Sequence, residues 1–340
     1  MKFRYYLLRR LLMMLLVLVG ILIITFIISH IVPSDPARLW AGSRATQAQV
    51  EQTRIELGLD KPLYIQFIHY LSNILQGDLG SSYHSRRPVT ADLADYFPAT
   101  FELTTVAFML SIIIGIPLGI VSATKKDTIV DHVSRVFSIS GVSMPAFWLG
   151  LMLQLLFSSA FHVLPASGRV DYFIHLNNPI HRITGMYLVD SLFTGNWSAF
   201  LNAIKHIILP AATLALVSLV NISRITRSSM IEVLRQEYVR TARAKGLAEQ
   251  IVIYKHALRN ALLPTTTFAG LTYGFMLGGS VLIESIFDWP GIGLYAMSSA
   301  LIIDYPAIMG VTLLFAIIFT TVNLIVDLLY AFLDPRIRYG

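Results

Sequence analysis

The sequence predicts an all-α membrane protein with about six transmembrane helices, and three observations carry that reading. Of its 340 residues, 55% are hydrophobic and only 14% charged, whereas a soluble domain carries about 25% charged residues. Mean hydropathy is +0.65. Apolar runs recur at close to the roughly 20 residues that span a bilayer as a helix, and the alternating strands of a membrane β-barrel are not seen. Backbone polar groups in hydrocarbon must be satisfied inside each segment, so these runs read as helices. The net charge of +6 reads as positive-inside bias, which makes membrane lipid an expected partner and nucleic acid not. Cysteine is absent, excluding disulfides and cysteine-based metal or redox sites.

The first run covers 11–31. Lys2, Arg4, Arg9 and Arg10 precede it as in a secretory signal, but the run is too long and no small-x-small cleavage site follows. It is expected to be an uncleaved span, with the chain leaving the membrane at Ile31-Val32-Pro33-Ser34-Asp35-Pro36. In the outer region that follows, amphipathic stretches at 49–57 and 63–75 are divided by Gly58 and Pro62. They are expected to be small helices on the outer membrane face. The second and third runs are 104–123 and 136–161. Each contains breakers, Gly115-Ile116-Pro117-Leu118-Gly119 and Met144-Pro145, readable either as packing kinks or as a hinge or pathway lining. A second long outer segment, 161–202, carries Pro165, Gly168 and Pro179. The fourth run, 207–222, is short and is expected to begin near Ala203. The fifth, 265–283, repeats Gly270, Gly274 and Gly278, a small-xxx-small face for a helix of this chain or of a partner. The sixth is 307–329.

Basic residues orient the chain. With the N-terminus inside, 17 of the 26 Lys and Arg face the cytoplasm, including Arg336 and Arg338. The rest fall mostly in the two long outer segments, which translocate largely regardless of charge. Both termini are therefore expected to be cytoplasmic.

Between Arg224 and Pro264 a polar, basic stretch interrupts the spans. Ile231, Leu234, Tyr238 and Thr241-Ala242 recur at helical spacing, Gly246 suits a helix end needing positive φ, and a second helical pattern runs from Leu247 to Asn260, closed by Pro264. The expectation is helix, turn, helix. Such a basic hairpin could lie on anionic headgroups. The small residues Ala242, Ala244 and Gly246 favour instead the close approach of another protein.

Other chemistry finds little support. The nine histidines are scattered without metal-ligand spacing, no nucleophile-elbow pattern is visible, and no phosphate-cradling Gly-x-x-x-x-Gly-Lys-Ser/Thr run is present. Glu102, Glu284 and Asp327 lie near span ends, where snorkelling or helix capping accounts for them, and Glu284 is also a translocation candidate because it faces the exit loop. The lack of a mid-membrane carboxylate or arginine argues against an ion-coupled secondary transporter.

Glu237-Tyr238-Val239-Arg240-Thr241-Ala242-Arg243-Ala244-Lys245-Gly246-Leu247 and His256-Ala257-Leu258-Arg259-Asn260-Ala261-Leu262-Leu263-Pro264 resemble the cytoplasmic loop of binding-protein-dependent ABC importer permeases, in the form found in the peptide/nickel branch. Leu57-Gly58-Leu59-Asp60-Lys61-Pro62, Gly77-Asp78-Leu79-Gly80-Ser81-Ser82, Ser143-Met144-Pro145-Ala146-Phe147-Trp148, Glu284 through Gly293 and Asp334-Pro335-Arg336 resemble other parts of that branch, in order along the chain. The surroundings of Gly185-Met186-Tyr187-Leu188-Val189-Asp190 look most like dipeptide permeases. The broad family pattern places an acidic residue and two alanines where this chain has Arg240, Thr241 and Ala242, and its Leu-Pro pair comes earlier. The peptide branch shares both departures, so they put in doubt only a sugar- or amino-acid-type assignment.

The resemblance implies a type I ABC importer permease fold with a cytoplasmic coupling helix and long outer loops. It divides the chain into 1–31 (cytoplasmic segment and first helix), 32–103 (periplasmic), 104–334 (core, with coupling loop 224–264) and 335–340 (cytoplasmic tail). It implies a non-catalytic subunit of the bacterial inner membrane that moves dipeptides or short peptides. The implied partners are a second homologous permease in a heterodimer, two cytoplasmic ABC ATPases and a periplasmic substrate-binding protein. ATP and Mg would sit in the ATPases, with no cofactor in this chain. The expected ATPase-coupling residues are Glu237, Tyr238, Arg240, Thr241, Ala242, Lys245, Gly246, His256 and Asn260; candidates for pathway or gate are Met144, Pro145, Glu284 and Asp288. Nickel, glutathione or longer peptides are alternative substrates. An ion-coupled carrier, a membrane enzyme or a passive channel are alternatives from other classes.

Overall fold

A computed structural model describes residues 3–31, 35–42 and 44–333. Lys2, the exit at Val32-Pro33-Ser34, the Asp334-Pro335-Arg336 motif and the tail 335–340 lie outside the described residues.

The described chain is helical. In order it forms α1 (Phe3–Ile31), α2 (Pro36–Ala41), α3 (Gln47–Glu56), α4 (Leu63–Leu75), α5 (Val89–Thr124), α6 (Ile129–Ser143), α7 (Ala146–Leu153), α8 (Tyr172–Asn177), α9 (Tyr187–Phe193), α10 (Trp197–Leu234), α11 (Glu237–Ala244), α12 (Glu249–Ile251), α13 (Leu258–Gly279), α14 (Val281–Ile286), α15 (Ile292–Leu301) and α16 (Tyr305–Leu333). Wider π-type turns at Gln154–Ala160 extend α7, and others at Val252–Ala257 join α12 to α13.

Among the described residues, four segments are long and apolar enough to cross a bilayer: Leu7–His30, Val89–Thr124, Trp197–Leu234 and Tyr305–Leu328. They take in the first, second, fourth and sixth expected spans. The other two are composite. The third is interrupted at Met144, whose backbone is extended (φ −89°, ψ 129°). Pro145 forces this, because its ring disfavours helical geometry in the residue before it, while its own fixed φ suits the start of α7. The fifth begins upstream of its expected start. Pro264 does not close the preceding helix but lies inside α13. The fourth span is the middle of a 38-residue helix that runs on past the expected end at 222.

α5 and α10 form the centre of the molecule. Gly115 and Gly119 explain how closely they approach. A Cβ on Gly115 would lie 2.8 Å from the Leu219 carbonyl oxygen, and one on Gly119 2.6 Å from that of Ser223. The Gly-Ile-Pro-Leu-Gly sequence is thus a packing surface on an unbroken helix. Toward the N-terminal ends of the same two helices, Ala99, Leu103, Ala107, Ile207, Ala211, Ala215, Met276 and Trp289 form a buried apolar cluster. The small-residue face of α13 packs internally against α16: a Cβ on Gly270 would lie 2.3 Å from Val326, and one on Gly274 3.3 Å from Phe319, whereas Gly278 faces open space. Arg10 of α1 pairs with Asp327 of α16 at 3.0 Å, so an ion pair, not snorkelling, accounts for that carboxylate.

The first outer region is helical as its pattern predicts. Thr46 and Gln49 form a reciprocal capping box at the start of α3. Gly58 takes positive φ (+66°), and Pro62 caps α4. α4 rests on the C-terminal end of α1, where Phe26 meets Phe67 and Tyr70, with ring centroids 5.1 and 6.0 Å apart.

Candidate functional site

Two sites emerge from the residues singled out above, at opposite ends of the α5–α10 pair. The first is the polar hairpin. α10 stops at Leu234, Gln236 turns extended (ψ 149°), and α11 starts afresh at Glu237. That break changes the helical phase. The continuous face expected from Ile231 through Tyr238 to Thr241-Ala242 is not formed. Val239 and Ala242 point inward, while Tyr238 and Thr241 are exposed. Val239, Ala242 and Val252 make a small buried cluster against Val233 and Leu234, and this seam folds the hairpin. Lys245 ends α11, and Gly246 reverses the chain at φ +75°. At that φ a side chain is strained, yet a Cβ there would meet nothing within 4 Å.

The outer surface of the hairpin is polar and basic with apolar points in it. Arg235, Arg240, Arg243, Lys245, Lys255 and Arg259 are exposed. So are Tyr238, Leu247, Ile251 and Tyr254, the last at 59%. Glu237 accepts from Arg240 at 2.8 Å, and Thr241 Oγ1 donates to the Glu237 carbonyl. Asn260 donates to the Tyr238 hydroxyl at 2.7 Å, bridging α11 to the start of α13. Arg243 forks onto both oxygens of Glu249 (3.1 and 2.7 Å) across the turn. Arg243 holds the Glu249 carboxyl below the usual range, and Glu249 in turn raises the guanidinium's pKa. His256 is half-buried on the returning arm. The nine expected coupling residues thus share one projecting hairpin. Sequence reasoning missed the Val239–Val252 seam and the Arg243–Glu249 bridge. The seam's signal was present, as isolated valines in a polar stretch, but the break at 235–236 hid its phase.

The second site lies at the other end, where α14 turns into α15. Glu284 is fully buried. Its Oε1 accepts from Thr100 and Ser280, each at 2.8 Å, and its Oε2 from the N–H groups of Gly293 (2.7 Å) and Leu294 (3.1 Å). Thr100 Oγ1 accepts from the N–H of Ile292 at 2.7 Å. The opening N–H groups of α15, orphaned by helix geometry, are therefore capped from α14 and α5. The local cap residue, Gly291, has no side chain to offer, and the space is full: its Cβ would lie 2.4 Å from both Glu284 and Thr100. Trp289 seals the node, donating Nε1–H to the Ala99 carbonyl at 2.9 Å. Glu284 thus caps α15 through Oε2, while its Oε1 accepts from two hydroxyls. Asp288 is exposed, in left-handed backbone (φ +46°), a conformation that Asp tolerates. Met144 and Pro145 are exposed at the head of α7, and Gly150 of α7 leaves room for the Phe287 ring, where a Cβ would come within 3.3 Å.

Beside this node, Arg169 forms a buried ion pair with Glu102 at 2.5 Å and stacks over Tyr187 at 3.7 Å. The Leu188 N–H donates to the other Glu102 oxygen at 2.6 Å. An ion pair, rather than snorkelling, occupies one oxygen of Glu102, and the other caps the first turn of α9, so that Glu102 pins the second outer segment to α5. Asp190 accepts from the N–H groups of Ile183, Thr184 and Gly185 and from the Thr184 hydroxyl. Burial pushes its pKa up, but these four bonds outweigh that and hold it below the usual range.

Known proteins resemble this chain over most of its length. The family model described as binding-protein-dependent transport system inner membrane component matches residues 115–339, and the model of that component's N-terminal part matches 3–104. A probable D,D-dipeptide transport system permease protein of Escherichia coli K12 is 49% identical, covering 96% of this chain and 95% of its own length. A dipeptide transport system permease protein of Alkalihalophilus pseudofirmus is 43% identical over 98% of this chain and 99% of its own. A glutathione transport system permease protein of Pectobacterium atrosepticum is 41% identical, with the same coverage.

Proposed function

The chain belongs to the family of binding-protein-dependent transport system inner membrane components, and we propose that it is the permease subunit of an ATP-driven ABC importer of dipeptides or other short peptides. It is an all-α membrane protein of the type I importer permease fold and a transport subunit, not an enzyme. The observation that carries the substrate class is its near full-length identity with peptide permeases. The relative named for glutathione keeps a γ-linked tripeptide as a second reading.

In this proposal both termini face the bacterial cytoplasm, and the partition at 31, 103 and 334 separates the first helix, the outer region, the core and the tail. A homologous permease completes a heterodimer. Two cytoplasmic ATPases hold ATP and Mg, and a periplasmic protein delivers the peptide. The hairpin is the ATPase-docking element. Its support is the exposed set of Tyr238, Leu247, Ile251 and Tyr254 among cations. Such a surface suits a protein groove, where aromatic and arginine side chains carry most of the binding energy. Nucleotide-driven closure of the ATPases would move the hairpin, and through α10 and α13 the spans. Glu284 and Asp288 would shape the outer exit, and Met144-Pro145 would be a bend in the pathway wall.

The test is uptake of labelled dipeptide, with ATP hydrolysis, by the reconstituted importer containing wild-type chain or Tyr238→Ala/Tyr254→Ala. Peptide uptake that requires ATP, and is lost with ATPase association in the double variant, is expected. ATP-independent uptake, or full association of the variant, would contradict the reading.

A further inference from the structure

Outside both sites lies a buried ionic node at the cytoplasmic ends of α5, α6 and α10. Asp131 of α6 has no exposed surface. Its Oδ1 accepts from Ser122 of α5 at 2.6 Å and from Arg227 Nε of α10 at 2.8 Å. Its Oδ2 accepts from a second Arg227 nitrogen at 2.9 Å and from the Asp127 N–H in the α5–α6 turn at 3.1 Å. Arg135 stands 3.7 Å away. Arg227 meets the carboxylate through two parallel bonds, the geometry that fixes orientation as well as distance.

What this node holds is unequal. α5 and α10 are already locked by the glycine contacts and by a buried cluster in which Ile120 and Ala123 of α5 and Met230 of α10 meet Ala257 and Ala261 of the hairpin's returning arm. α6 has less support. Among its described residues only Asp131 and Gly141 are buried, Gly141 against α10, where a Cβ would lie 3.0 Å from Val220, while Ile129, Val133 and Val136 are each more than 60% exposed. Arg227 lies seven residues before the end of α10, about 10 Å of helix from the hairpin. At the far end of α6 the chain breaks at Met144-Pro145.

We propose that Asp131 is a positioning residue for transport: its pairing with Arg227 makes α6 move with the hairpin, so that displacement of the hairpin swings the first half of the third span about the Met144-Pro145 break. The inference rests on the reading of the hairpin as the ATPase-docking element. Removing the charge frees α6 without touching the docking surface.

The experiment compares wild type, Asp131→Asn, Asp131→Ala and the exchange Asp131→Arg/Arg227→Asp in the complete importer. It reads peptide uptake, ATP hydrolysis and ATPase association together. Spin labels at Val133→Cys and Gln250→Cys, in a chain with no native cysteine, report the distance from α6 to the hairpin. Asp131→Asn keeps the shape of the site and decides the matter if Asp131→Ala fails to assemble. The expected result is normal ATPase association, uptake per ATP lowered by about tenfold, the scale of ordinary coupling between sites, and partial recovery in the exchange. The label distance is expected to stay constant through the nucleotide cycle in the wild type and to vary in Asp131→Asn. Unchanged uptake per ATP, equal proportional loss of uptake and hydrolysis, or a wild-type label distance that changes with nucleotide would overturn the proposal. Loss of ATPase association from Tyr238→Ala/Tyr254→Ala, read in the same assay, checks the docking reading separately.

Discussion

The turn from α14 to α15 and the hairpin after α10 are both short reversals bearing carboxylates and glycines, yet they are built in opposite ways. At the outer turn the buried carboxylate is fully engaged: Glu284 takes four hydrogen bonds without solvent exposure, and Gly291 and Gly293 leave no space for a methyl group. At the hairpin only three small side chains form the buried seam, the ion pairs are exposed, and Gly246 borders open space. The first arrangement is what a fixed element of a wall needs. The second spends little on internal packing and leaves its surface for a partner. Glycine means close packing at one end and a backbone reversal at the other, so the same residue type predicts different consequences of mutation.

The contrast is sharpest at Glu284. Glu284→Ala would leave the N–H groups of Gly293 and Leu294 and the Thr100 hydroxyl without their acceptor, while Ser280 keeps the Leu277 carbonyl, at about 1–3 kcal/mol per unsatisfied group before relaxation. The expected outcome is a loss of at least about 3 kcal/mol, read as a much lower thermal midpoint of the purified complex; a midpoint like that of wild type would break the comparison. Gly291→Ala comes next, since its methyl must displace Glu284 and Thr100. Overpacking of this kind costs about 1–3 kcal/mol, measurable in the same melt. At the hairpin Gly246→Asp should cost only about 1 kcal/mol, the strain of a left-handed residue, because nothing stands in the way. Uptake should nevertheless be uncoupled from hydrolysis, and normal uptake by that variant counts against docking. The smallest effect is expected from Arg243→Gln. Both partners of its bridge are about half exposed (41% and 55%), and such pairs contribute less than about 1 kcal/mol. A larger drop in the melt would mean that the hairpin is held internally after all.

Much of the fold was legible because lipid imposes a simple rule. Apolar length marked the spans, Gly58, Pro62 and Gly246 marked the turns, and Met144-Pro145 marked the break in the third span. What stayed hidden involves partners far apart in the chain. Thr100 is 184 residues from Glu284, and Arg227 is 96 from Asp131; periodicity carries no signal for such pairs. Glu284 drew attention as a carboxylate at a span end, but only the folded chain shows that it caps α15. The hairpin was visible as a basic interruption, while its buried face was misphased because the two-residue break after Leu234 cannot be read from spacing. Pro264 was read as a stop, yet α13 carries it inside.

The central claim is that the hairpin is where a cytoplasmic ATPase takes hold. A single cysteine at Lys245→Cys, unique in this chain, tests it directly through a short thiol-to-amine cross-linker in membranes that are actively importing peptide. The account predicts a covalent adduct with the ATPase subunit, diminished by Tyr238→Ala/Tyr254→Ala. An importing assembly in which that cysteine reacts only with lipid-side or solvent reagents, and never with the ATPase, would contradict it.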